Sequence, residues 1–282
     1  MPDIHVVIDS TANITEDYTA KHPSLHIVPL KVMLEGREWG ENELSPAELF
    51  ALVEQTGGIP RTSQPSAGDF LTVLEPLVQG GHEVIVITLA EALSGTAQGA
   101  RTVARMLNSN AVHIIDSGTT AIGMVYLAEA ALQMADSGST AAAIAVKLQQ
   151  MAKTIHTLFV PGMLEYLHKG GRIGGAAALF GSILQIKPIL HLVDGKVAVL
   201  DKVRTRSRAI ARMTAELERY GRPARIGIVE NGALAEAEAL SSQIRELYPY
   251  SDISVSGIGS VLGAHLGPGL IGLIFQENDN QG

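Results

Sequence analysis

The chain has 282 residues, a formal charge of −8, and a composition that is 46% hydrophobic but only 4% aromatic. That length fills one large or two ordinary domains, and the acidic balance argues against a nucleic-acid partner, which needs clustered Lys and Arg. There is no cysteine, so disulfides and thiolate zinc sites are excluded, and the chain fits a reducing compartment.

Residues 5–9 (HVVID) read as a short buried strand that ends at the turn Asp9-Ser10-Thr11. The start of the chain lacks the basic and apolar segments of a secretory leader, so the cytoplasm is the expected location. A second strand is predicted over 28–34, followed by a polar turn at Glu35-Gly36. Ser45-Pro46-Ala47-Glu48 has the form of a capping box with proline at the first helical position, opening a helix through Val53. The runs 83–89 (EVIVITL) and 111–116 (AVHIID) are continuously apolar up to their ends. Such runs suit parallel strands buried on both faces, and the helical pattern over 95–107 between them completes a β-α-β unit. Helices are predicted over 120–135 and 140–153.

Near Thr154 the pattern changes. A strand over 154–159 leads through Pro161 into a short helix and the glycine-rich loop 169–175. Residues 189–203 form a strong hairpin signal around Asp194-Gly195, a pair suited to a type I′ turn. A helix over 205–220, a strand over 225–229, a helix over 233–247 and strands at 253–257 and 270–275 complete the pattern. The uncharged stretch 253–276 is long enough to span a membrane, but six glycines and Pro268 interrupt it, which favours strand–loop–strand. The expected fold is α/β with two domains. Residues 1–155 form a mostly parallel, doubly wound sheet with helices, and 156–282 an α+β domain with a mixed sheet.

Four polar loops stand out. Arg61-Thr62-Ser63-Gln64-Pro65-Ser66 offers two hydroxyls in an extended segment, with Ser66 as the cap of the next helix. Leu93-Ser94-Gly95-Thr96 follows the apolar strand that ends at Leu89. That is where an open parallel sheet places its ligands, and where backbone N–H groups can meet an anion. Ser94 reads equally as an ordinary helix cap. Gly170-Gly171-Arg172-Ile173-Gly174-Gly175 brings a lone arginine among glycines that permit close backbone approach. Gly263-Ala264-His265-Leu266-Gly267-Pro268-Gly269 places one histidine in what reads as a loop between two strands. A Ser/His esterase or acyl-transferase built on Ser94 and His265 stays open, although no G-x-S-x-G elbow is present. The histidines show no metal-ligand spacing, and there is no Walker A or dinucleotide fingerprint. Lys202, Arg204, Arg206, Arg208 and Arg212 form a basic run that reads as a solvated face or a docking patch.

Taken together with the opening Ile8-Asp9-Ser10-Thr11-Ala12, these loops resemble the DegV family of bacterial fatty-acid-binding proteins that serve a fatty acid kinase. The matching pieces Arg61-Thr62-Ser63-Gln64-Pro65-Ser66, Leu93-Ser94-Gly95-Thr96, Lys169-Gly170-Gly171-Arg172-Ile173 and His265-Leu266-Gly267-Pro268-Gly269 occur in family order across nearly the whole chain. One position departs: Ala97 follows Thr96 where an aromatic residue is common in the family.

The resemblance implies a two-domain carrier without chemistry or cofactor of its own, whose ligand is a long-chain fatty acid held in a buried apolar tunnel. It implies a carboxylate at the domain interface near Thr62, Ser63, Ser94, Gly95 and His265, with Arg172 at the entrance. Arg204 matches a basic position that docks the kinase, and the kinase supplies ATP for acyl phosphate formation. Membrane contact would be transient at most. Ile173, Leu179, Phe180, Ile183 and Leu184 are the candidate tunnel lining, a stretch that reads equally as plain core helix.

Overall fold

The computed structural model of the protein describes residues 3–180 and 186–278. In chain order, strand β1 (Ile4–Asp9) is followed by helix α1 (Glu16–Lys21) and strands β2 (Leu25–Val28), β3 (Lys31–Leu34) and β4 (Arg37–Gly40). Then come α2 (Pro46–Thr56), β5 (Arg61–Ser63), α3 (Ala67–Gln79), β6 (Glu83–Thr88), α4 (Thr96–Met106), β7 (Val112–Asp116), α5 (Ile122–Asp136) and α6 (Ala141–Met151). The remainder comprises β8 (Ile155–Val160), α7 (Leu164–Lys169), β9 (Lys187–Val193), β10 (Lys196–Val203), α8 (Arg206–Glu216), β11 (Arg225–Asn231), α9 (Leu234–Leu247), β12 (Asp252–Gly257), α10 (Ser260–Leu266) and β13 (Leu270–Gln276). Among the described residues, no helix is long and apolar enough to cross a membrane.

The fold is mixed α/β. Strands β2-β1-β6-β7 form a parallel sheet, and β10-β9-β8-β13-β11-β12 a mixed sheet. A small antiparallel sheet, β4-β3-β5, stands beside them. Val84, Ile85, Val86 and Ile87 of β6 are at most 1% exposed, because the strand is covered on both faces. On one side Val7, Val84 and Val86 pack on Phe70, Leu74, Ala100 and Val103 of α3 and α4. On the other, Val6, Ile8, Ile85 and Ile87 join a core shared with α5 and with the inner face of the mixed sheet. The outer face of the mixed sheet packs on α8 and α9 through a separate core that includes Met213, Ile228 and Leu240.

Local chemistry explains the element ends. Ser45 and Glu48 cap α2 reciprocally, as their spacing predicts. Asp194 (φ 49°) and Gly195 (φ 71°) both take positive φ at the tip of the β9–β10 hairpin, the demand of a type I′ turn.

Two expectations are corrected, and one strand is added to the predicted elements. The strand predicted over 28–34 is two strands in two sheets, because Pro29 cannot donate to a ladder and the chain turns there. The polar segment Arg37–Gly40 is a strand of the small sheet, its pattern too short and too charged to read as one. The segment carrying His265 is the helix α10 rather than a loop, and only its end is broken, by Gly267 in a positive-φ conformation (φ 71°).

Candidate functional site

In the parallel sheet the chain leaves β1 toward β2 on one side and reaches β6 on the other. The crevice beyond the carboxyl ends of β1 and β6 is therefore the switch point of the topology. Asp9 closes its floor. The Leu89 N–H donates to Asp9 Oδ2 at 2.6 Å, and the Thr11 hydroxyl to Oδ1 at 2.5 Å. Burial raises the Asp9 carboxyl to about 6 despite those donors.

Over this crevice the inner face of the mixed sheet, α10 and the small sheet enclose a cavity with about 790 Å³ of empty space, its mouth included. The wall is mainly aliphatic, with Leu30, Leu89, Val229, Val261, Leu262 and Ile274 among its residues. Thr62, Ser94, Arg172 and His265 stand on the same wall. Leu93, Ser94, Arg172 and Val197 also line an outer vestibule, which adds Glu91, Gly95 and Lys196.

Four distant segments meet at the polar group. Strand β5 carries Thr62, paired in register with Val32 of β3. Ser94 precedes α4, and its hydroxyl lies 2.9 Å from that of Thr96, the buried first residue of the helix. The cap of α4 is Gly95 rather than Ser94, so the Ser94 side chain is not spent on the helix end. His265 comes from the last turn of α10, with Nε2 2.7 Å from Thr62 Oγ1. Its Nδ1 is buried with no hydrogen-bond partner among the described residues. Burial, aided by the Arg172 charge, lowers the imidazole to about 4, so it is neutral at pH 7.

The neutral ring has two tautomers. If Nδ1 held the proton, a buried N–H would be left without an acceptor, and an unmade bond there costs ~1–3 kcal/mol. The proton therefore belongs on Nε2, which donates to Thr62 Oγ1 and leaves the Thr62 hydroxyl free to donate elsewhere.

Arg172 is exposed, and its Nε and Nη1 donate to the carbonyls of Leu93 (3.1 Å) and Gly170 (2.7 Å). This clamps the glycine-rich loop to the Ser94 loop at the cavity mouth. The glycines serve close approach: a Cβ on Gly170 would fall on His265 Nδ1.

Of the residues predicted for the site, Thr62, Ser94, His265 and Arg172 come together on the cavity wall, and Gly95 lines the vestibule. Ser63 is half-buried beside Thr62 but is not a wall residue, and Arg204 is exposed in the turn between β10 and α8, away from both spaces. Three of the tunnel candidates are off this wall. Ile173 is buried in the core but off the cavity wall, and Leu179 and Phe180 are off it too. Phe180 is 40% exposed and stacks on His168, their centroids 3.8 Å apart. Ile183 and Leu184 lie outside the described residues. The structure does not bring Ser94 and His265 into a hydrogen bond: the imidazole pairs with Thr62, and among the described residues no carboxylate orients it. Among the described residues there is no cluster of three or more side chains able to hold a metal ion.

Glu41 carries no signal in the sequence pattern. Its carboxylate is buried behind the site, where it accepts from the Ser10 hydroxyl (2.5 Å) and from the Val261 N–H (3.0 Å) in the first turn of α10. It thus ties α10, the carrier of His265, to the end of β1. Burial raises Glu41 to about 7, and the neighbouring Asp9 pushes the same way.

Comparison with known proteins agrees with this architecture. The family model described as "Uncharacterised protein, DegV family" matches residues 3–278. A DegV domain-containing protein of Halalkalibacterium halodurans is 35% identical over 97% of this chain and 98% of its own length. A fatty-acid-binding DegV family protein of Thermus thermophilus superposes with a TM-score of 0.91 at 28% identity, covering 98% of this chain and all of that one. The crystal structure of DegV from Bacillus subtilis, a fatty acid binding protein, superposes with a TM-score of 0.88 at 30% identity, over 99% of this chain and all of that one. This chain belongs to the DegV family.

Proposed function

We propose that this protein binds a long-chain fatty acid, with the acyl chain in the cavity and the carboxylate at Thr62 and Ser94, and presents that carboxylate to a partner kinase. The observation that carries the reading is the meeting of hydroxyl donors and an aliphatic cavity at one mouth. It is supported by the fatty acid binding of relatives that share the fold across their whole length.

Burying methylenes contributes roughly 0.8 kcal/mol each, so a long chain supplies ~10 kcal/mol before association costs. The carboxylate adds register. Hydroxyls suit it better than a buried ion pair, because they bind the anion and still leave an oxygen free to react. Thr62 donates to the carboxylate while His265 Nε2 holds its oxygen, and Ser63 and Gly95 flank the pair. Arg172 sits at the entrance, near the charge that develops during transfer. The reaction belongs to the partner: a carboxylate oxygen forms the new bond to the terminal phosphorus of ATP as ADP leaves. Arg204, exposed beyond the hairpin, is the basic contact for that partner.

In this reading residues 1–155 supply Thr62 and Ser94, while residues 156–282 supply His265, Arg172 and most of the apolar wall. The protein works in the cytoplasm as a carrier with no cofactor, and touches membrane only transiently to exchange lipid.

The test is reconstitution. Delipidated protein, oleate, ATP and the kinase of the same organism should give an acyl phosphate, trapped with hydroxylamine, only when both proteins are present. Arg172→Ala and Arg204→Ala should each cut the yield while leaving most of the oleate affinity. Equal yields from wild type and both variants would refute the division of roles. So would ester hydrolysis by this chain alone that Ser94→Ala abolishes.

A further inference from the structure

The cavity wall carries one feature that a plain alkyl chain does not need. Where β7 turns into α5, the corner Thr119-Thr120-Ala121 is buried, and Thr120 and Ala121 face the cavity. Across from it, Thr157 of β8 lines the same space, with its hydroxyl 2.7 Å from that of Thr119. The Thr120 hydroxyl makes no hydrogen bond among the described residues, although the residue is only 9% exposed. The corner is held in an unusual shape: Ala121 has φ 49° and ψ −133°, a region L residues avoid. Strain of this kind persists where the surroundings over-determine it, and it clusters at ligand sites.

Valine has the shape of threonine without the hydroxyl, so a wall built only for methylenes loses nothing by using valine here. A saturated chain passing this corner strips water from the Thr120 hydroxyl and from the free lone pairs of Thr157, and returns no bond. A chain with a polar substituent at that depth satisfies them.

We infer that Thr120 and Thr157 form a second polar subsite inside the cavity, which selects acyl chains bearing a hydroxyl or keto group partway along the chain. This rests on the fatty-acid reading of the site and refines its ligand class. Thr120 donates to the substituent oxygen, and a chain hydroxyl can donate in turn to Thr157, whose bond to Thr119 fixes its orientation.

The experiment titrates the delipidated full chain with stearate and with monohydroxystearates whose hydroxyl is walked along the chain. One narrow band of positions should bind about tenfold tighter than stearate, as a satisfied buried hydroxyl pair warrants. Thr120→Val should remove that preference, read as the ratio of hydroxystearate to stearate affinity, and Thr120→Ser should keep it. The inference is overturned if stearate binds and no hydroxy isomer exceeds it, or if Thr120→Val leaves the profile unchanged. If neither stearate nor any isomer binds, the fatty-acid reading itself fails, and the subsite falls with it.

Discussion

Thr62→Val combined with Ser94→Ala is expected to weaken fatty acid binding at least a hundredfold. Each hydroxyl is one donor to a carboxylate, and a hydrogen bond to a charged group is worth ~1.5–3 kcal/mol. Loss of two therefore approaches or exceeds 3 kcal/mol, and 1.4 kcal/mol is a factor of ten. Valine keeps the shape of Thr62, but it also removes the acceptor of His265 Nε2, 2.7 Å away. Thr62→Ser, which retains the hydroxyl, should keep most of the affinity and separates the donor's effect from the imidazole's. The check is equilibrium titration of delipidated variants with oleate, with thermal unfolding measured alongside. Wild-type affinity in a folded double variant would remove the carboxylate from this end of the cavity.

The second large effect is on stability, and it depends on pH. Glu41 is raised from 4.5 to about 7, chiefly by burial, against the opposing pull of the Ser10 hydroxyl and the Val261 N–H. The folded state thus prefers the protonated acid. The stability contributed is complete below the unfolded value of 4.5 and is lost as pH rises through about 7. A shift of that size is on the order of 3 kcal/mol. Glutamine keeps an acceptor for the Val261 N–H and cannot ionise. Glu41→Gln should therefore be more stable than wild type at pH 8, by an amount on the order of 3 kcal/mol. At pH 4, below the unfolded value, the two should nearly coincide. The difference between the proteins is the useful quantity, because His5, His26 and His265 are all lowered and give the opposite slope below pH 6.5. Parallel stability-versus-pH curves from denaturant unfolding would show that Glu41 is not the titrating group.

The strands of the parallel sheet were legible because EVIVITL leaves no polar face, and the β9–β10 hairpin because Asp-Gly selects its turn. The α2 cap was legible from four residues. What escaped was set by tertiary context. Short strands such as β4 and β5 exist only by pairing with β3, and no periodicity marks them. Gly267, Pro268 and Gly269 hid α10, although the helix needs only Gly267 to end it.

At the site, Thr62, Ser94, Arg172 and His265 stood out as polar residues in an apolar chain, and folding gathers them at one mouth. The cavity wall did not stand out, since Val229, Val261 and Ile274 look like any core residue in sequence. The stretch from Ile173 to Phe180 is equally uncharged and lies off it. Glu41 is an acid in a polar segment, and only its contact with Val261, 220 residues away in sequence, gives it a role.

Native mass spectrometry of the protein as purified decides whether the cavity holds a fatty acid. The expected species is heavier than the chain by one long-chain fatty acid, which denaturation releases and extraction identifies. A bare mass, with no uptake of added oleate or palmitate, would contradict it.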